Sequence, residues 1–116
     1  MKGNKKYNCL FIGNAIVDVV SEVSFDFLEK QKIDVGSWRP VSINEINELL
    51  EKMSNILIAS GGSAANSAVG FSLLGGRSAF IGRVKSDDFG SLYINDLKEA
   101  NVDFISNSVD TGNETG

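Results

Sequence analysis

The sequence predicts an α/β fold on a mostly parallel sheet. Three observations carry the prediction. Short β-branched or aromatic runs alternate with helix-patterned segments, the order that βαβ crossovers produce. Two of the helix segments open on capping residues, Ser42 and Asp88. The glycine pair Gly61-Gly62 stands between a strand run and a helix run.

Each element follows in order. "YNCLFIGN" reads as a buried strand ending at Gly13-Asn14, and "IVDVVSEV" continues extended on Val17, Val19, Val20 and Val23. "FDFLEKQKI" is a short helix, and Asp34 to Pro40 is a turn containing Gly36 and the only proline. "VSINEINELLEKM" is the clearest helix. Ser42 and Glu45 form a capping box, Val41 and Ile46 a hydrophobic staple, and Ile43, Ile46, Leu49, Leu50 and Met53 one apolar face. "ILIA" is a strand. Residues 64–74 form a helix of small residues, broken by Gly75-Gly76. "SAFIG" is a strand. Asp88 can cap "FGSLYINDLKEA", whose Phe89, Leu92, Tyr93, Leu97 and Ala100 share a face, and Asn101 suits its C-terminal end. "VDFIS" starts a further strand. After it no helix pattern returns, so a longer protein is expected, with these residues as one part.

Composition narrows the function. The 116 residues are 42% hydrophobic and 22% charged, ordinary for one small domain or part of a larger one. The net charge of −4, with no Lys/Arg stripe, argues against a nucleic-acid surface. The basic start "KGNKK" reads as a frayed, solvated terminus. Cys9 is the single cysteine, so no internal disulfide forms, and it reads as a small buried hydrophobe. The chain has no histidine, which excludes Cys/His zinc sites and denies Cys9 an imidazole partner. No apolar run approaches the roughly 18–20 residues of a membrane span. "CLFIG" is too short for a signal peptide, so no membrane partner is expected and the cytoplasm is the default location.

The stretch "IASGGSAANSAVG" holds the strongest chemical signal. Gly61 and Gly62 allow a sharp turn and the close approach of a ligand to bare amides. The helix start beyond them exposes unpaired N–H donors. Asn66 sits one turn in, with an amide that donates and accepts, which suits a neutral hydroxyl better than a phosphate. No lysine lies between Lys52 and Lys85, so this is not a P-loop, and the G-x-G-x-x-G fingerprint is absent. A tight turn without a ligand is the competing reading. Asp18, set among valines in "AIVDVV", likewise reads two ways. It points outward on an alternating strand, or it accepts hydrogen bonds from vicinal hydroxyls.

"IGNAIVDVV", "SGGSAANSA" and "GRVKSDDFG", in this order and spacing, resemble the N-terminal part of ribokinase-like (PfkB-type) carbohydrate kinases. Gly61, Gly62, Asn66, Ala68 and Gly75 match that family's first signature, whereas Lys85 stands at its final glycine. "DDFG" follows as in many relatives. "GNAIVD" before "FDFLEK", and the closing "NETG", look most like the adenosine-kinase branch.

The resemblance implies a doubly wound core with a small β lid, residues 1–116 forming the N-terminal segment. Lid strands would lie near 16–23, 38–41 and 104–107, placing Trp38 near substrate or in plain lid packing. It implies transfer of the γ-phosphoryl of ATP, with Mg²⁺, to a hydroxymethyl group of a sugar or nucleoside. By resemblance, the sugar-contacting aspartate is Asp18, the diglycine backbone Gly61 and Gly62, and the helix asparagine Asn66. Asn14 matches a substrate-contacting asparagine of the adenosine-kinase branch. The family's general base belongs to a later G-x-G-D motif, absent from these residues, as is the ATP-binding half. The isolated chain is therefore expected not to turn over, and Asp87-Asp88 read as helix caps. Family lids pair between subunits or stay single, so a homodimer through the lid stays open. Two other classes also stay open. One is a non-catalytic polyol or nucleoside module, and the other a Rossmann-type nucleotide binder.

Overall fold

The computed structural model describes residues 5–112 and 115. The readings of residues 2–4 and of Asn113, Glu114 and Gly116 lie outside them. The elements run β1 (Cys9–Ile12), β2 (Ile16–Val20), α1 (Phe25–Lys30), α2 (Ile43–Lys52), β3 (Leu57–Gly61), α3 (Ser63–Leu73), β4 (Ser78–Ile81), α4 (Asp88–Glu99) and β5 (Val102–Phe104). The chain divides into a larger unit, Met1–Asp18 with Ala59–Gly116, and a smaller one, Val19–Ile58.

The larger unit is built on a three-stranded parallel sheet in the order β1-β4-β5. Its register sets Phe11 beside Phe80 and Phe80 beside Phe104, so the three rings share a face. Strand β4 is central, and its Ser78, Ala79 and Phe80 are fully enclosed. Both helices of this unit lie on the Phe80 face. Helix α3 comes close because its inward residues, Ala65 and Ala68, are small. Ser78 Oγ donates to the Ala68 carbonyl at 3.0 Å, which satisfies a buried hydroxyl. Phe71 tilts against Phe11, with ring centroids 6.0 Å apart. Helix α4 adds Tyr93 and Leu97, and Tyr93 packs on Phe80 at 5.9 Å. The opposite face keeps Leu10 and Ile12 exposed.

Several expectations are corrected here. Strand β3, expected in the parallel sheet, pairs instead with β2 in a separate two-stranded sheet. Cys9 is half-buried, since it lies on the edge strand β1. The cap of α4 is Asp87, not Asp88. Asp87 has the extended backbone an N-cap needs, and its side chain accepts from the Gly90 N–H at 2.7 Å. Asp88 becomes the first helical residue, where its charge still favours the helix dipole. Residues 104–107 are not a strand of their own. Phe104 ends the core strand β5, and Ile105 N–H donates to the Phe80 carbonyl at 3.1 Å. Residues 38–41 form no strand, because Pro40 lacks an N–H and every residue from 34 to 44 is exposed. Of the piece 16–23, residues 16–20 are strand β2.

The smaller unit holds two capped helices. Ser24 Oγ accepts from the Phe27 N–H, and Ser42 Oγ from the Glu45 N–H. Arg39 pairs with the Glu45 carboxylate. That hydrogen bond is the main reason the carboxyl lies below its usual range, with a smaller contribution from the Ser42 amide, as a capping box requires. Helix α2 turns Ile46, Leu49 and Leu50 inward, half-buried. Ser21 Oγ donates to the Ser54 carbonyl at 2.6 Å, tying the start of the unit to its end. Trp38 is 87% exposed.

Candidate substrate site at the diglycine turn

Asp18 alternates with Val17 and Val19, which are half-buried while it is exposed. Its carboxylate lies against the Cα of Gly61. A Cβ built at Gly61 would stand 2.2 Å from Asp18 Oδ2 and 2.7 Å from its Cγ. That is inside the contact distance of any real side chain, so the seat of the carboxylate exists because residue 61 has none. Gly62 follows as the N-cap of α3 at φ +90°, a conformation L side chains rarely adopt, and it supplies no side-chain cap. A Cβ there would meet the Asn14 carbonyl at 2.8 Å. The Gly62 carbonyl accepts from the Asn66 N–H at 2.9 Å, the first bond of α3.

The five residues singled out in the sequence therefore share one neighbourhood. Asp18 adjoins Gly61, Asn14 adjoins Gly62, and Asn66 stands one helical turn beyond. Asn14, Asp18 and Asn66 are exposed, whereas Gly61 is buried. Asn14 lies just past the carboxyl end of β1. There a Cβ at Gly82, just past β4, would come 3.0 Å from the Gly13 carbonyl. Carboxyl ends of parallel strands are where open α/β sheets take ligands. Chemically the place offers the Asp18 carboxylate and the amides of Ser63, Ala64 and Ala65, which no side chain caps, while Asn14 and Asn66 reach it through their main chain.

A carboxylate can accept hydrogen bonds and main-chain amides can donate them. Among the described residues no group of three His, Cys, Asp or Glu side chains could hold a metal ion. No helix of those residues is long and apolar enough to cross a membrane.

Sequence reasoning missed two residues. Tyr93, read only as part of an apolar face, donates its hydroxyl to the Gly61 carbonyl at 3.2 Å. Burial pushes its phenol up to about 12, so it stays a neutral donor. Asp96, three residues on, accepts from the Ser60 N–H at 2.7 Å. A tyrosine on a buried stripe with an acid at i+3 is the signal that was available.

The "DDFG" segment forms a second junction. Asp87 accepts from Gly90 and, at 3.0 Å, from the Thr115 N–H, while Thr115 Oγ1 accepts from the Lys85 N–H at 2.8 Å. Lys85, at the family's glycine position, needs no left-handed backbone, so the departure costs no strain. Burial is the largest single influence on Asp87 and pushes its carboxyl up. The Thr115 and Gly90 amides, the Thr115 hydroxyl and Lys85 together outweigh it and hold the group below the usual range. A lowered folded-state pKa gives stability that is present above the unfolded value, near 3.9 for aspartate, and is lost as pH falls through the folded one. Wild type is therefore expected to exceed Asp87→Asn in stability at neutral pH, with the gap closing in acid. Urea unfolding of both across that range checks this, and a gap constant with pH would refute it.

The larger unit is thus a parallel α/β unit with Asn14 just past the carboxyl end of β1 and the exposed Asp18 carboxylate against the diglycine turn. The chain belongs to the pfkB family of carbohydrate kinases, whose sequence pattern matches residues 17–116. It is 37% identical over 82 residues to 5-dehydro-2-deoxygluconokinase of Clostridium perfringens, covering 67% of this chain and 24% of that protein. It is 49% identical over 57 residues to a chloroplastic protein of Arabidopsis thaliana named as fructokinase-6, covering 49% of this chain and 15% of that one. The solved adenosine kinase of Sinorhizobium meliloti superposes with a TM-score of 0.78 at 36% identity, covering 96% of this chain and 34% of that one. The chain thus spans less than a quarter of the two curated relatives' length and about a third of that structure.

Proposed function

We propose that this chain supplies the acceptor-binding part of a kinase that phosphorylates a hydroxymethyl group of a sugar or nucleoside. Asp18 accepts hydrogen bonds from ring hydroxyls, Asn14 and Asn66 complete the polar contacts, and the diglycine amides lie beneath the ring. The observation that carries this reading is the Asp18 carboxylate seated in the space of a missing Gly61 side chain. A solvated carboxylate needs no such seat, whereas one that must be aimed does. Membership of the carbohydrate-kinase family supports the acceptor class. ATP supplies the phosphoryl group, with Mg²⁺, and both are assigned to residues outside these 116, as is the general base. The separation of β2 and β3 from the parallel sheet supports a lid role for residues 16–20.

The test is ADP release by the full-length protein with fructose, ribose, adenosine and 5-dehydro-2-deoxygluconate as separate acceptors. Acceptor-dependent turnover with at least one is expected. ATP-dependent phosphorylation of none of them, by a folded protein, would overturn the reading.

A further inference from the structure

Two side chains of α4 grip the strand end that leads into the diglycine. Tyr93 is fully buried and donates to the Gly61 carbonyl at 3.2 Å, and Asp96 accepts from the Ser60 N–H at 2.7 Å. The two residues are three apart, so they face the same way along the helix. They bond the peptide groups on either side of Ser60 and Gly61. A strand end would ordinarily leave such groups to a neighbouring strand or to water. Here a helix takes one donor and one acceptor, which sets both the position and the rotation of residue 61. Gly61 is in turn the surface against which the Asp18 carboxylate rests.

We infer that Tyr93 and Asp96 are positioning residues that hold Gly61 in place for Asp18 without touching substrate themselves. The inference rests on the acceptor-site reading above. Helix α4 is itself rigidly placed, since Tyr93 and Leu97 are buried against Phe80 and Val102 in one core. A shift of the helix therefore moves the turn, and a loosened turn moves Asp18.

The experiment measures acceptor KM, ATP KM and kcat for full-length Asp96→Ala, Asp96→Asn, Tyr93→Phe and Asp18→Ala. The acceptor is whichever of the four compounds above turns over fastest. Amide hydrogen exchange of residues 60–63 is followed alongside. Asp96→Ala is expected to raise acceptor KM by up to about 100-fold, the scale of a site misplaced from a distance, with ATP KM unchanged. Asparagine keeps an acceptor oxygen and should restore most of that loss. Exchange at residues 60–63 should quicken in Asp96→Ala. Tyr93→Phe keeps the ring in the core and asks the same question if Asp96→Ala does not fold. If both α4 variants leave acceptor KM unaltered while Asp18→Ala raises it, the positioning role is refuted and the site reading stands. A rise of both KM values together, or a fall in thermal midpoint alone, would make the two bonds structural only and also refute it. If Asp18→Ala changes nothing, the site reading falls and takes this inference with it.

Discussion

Gly61→Ala should fold almost as well as wild type and lose acceptor binding. The three nearest atoms a new Cβ would meet all belong to the Asp18 carboxyl group, at 2.2, 2.7 and 3.0 Å. That group ends a flexible side chain, so it can swing away at about 0.5–1.5 kcal/mol if it leaves its rotamer well. Gly61 is not in the left-handed region, so alanine is compatible with its backbone. The functional loss is larger. Removing hydrogen bonds from a charged acceptor costs about 1.5–3 kcal/mol, or roughly 10- to 150-fold in Kd. Asp18→Ala should lose a similar amount, and Gly61→Ala should add little in that background, because both changes remove the same contact. Calorimetric titration of the full-length protein with its acceptor, beside urea unfolding, separates the two effects. Unchanged affinity in Gly61→Ala would dismiss the role of the seat.

Gly90→Ala should do the reverse and destabilise the fold. Alanine inside a helix ordinarily gains about 1 kcal/mol over glycine from propensity. Here the added methyl would lie 2.0 Å from the Lys85 carbonyl oxygen, which is backbone and cannot rotate aside. It would also crowd Asp87 Oδ1 at 3.0 Å and Thr115 Oγ1 at 3.1 Å, the atoms of the cap and of the loop tied to it. Overpacking a tight site costs about 1–3 kcal/mol, and loss of the cap about 1 kcal/mol more, so the clash outweighs the propensity gain. A lower urea midpoint with an unchanged slope is the expected result. An alanine variant more stable than wild type would show that α4 approaches Lys85 less closely than described.

Much of this was legible beforehand, for a local reason in each case. Ser42 followed three residues later by Glu45 marks a helix start because the two groups satisfy each other's neighbouring amides. "SAFI" reads as a buried strand because it is short, uncharged and bounded by arginine and glycine. The diglycine junction and Asn66 were visible for the same reason, whereas Asn14 was singled out only by the family resemblance. The choice between Asp87 and Asp88 was not legible, because both carry the same side chain and only the backbone angles decide which one caps. The failure of residues 38–41 to form a strand was legible in part, since Pro40 lacks an N–H, whereas the exposure of residues 34–44 was not.

Alone, the sequence determined the fold class and the order of the elements, since periodicity, capping and glycine placement are properties of neighbours along the chain, while the family resemblance pointed to the five candidate site residues. Only the tertiary structure decided that Asp18 occupies the space of a missing side chain at Gly61, and that Tyr93 and Asp96 hold that glycine from another helix. Those contacts join residues more than thirty positions apart. Close packing and buried hydrogen-bond satisfaction act across space, and no local pattern records them.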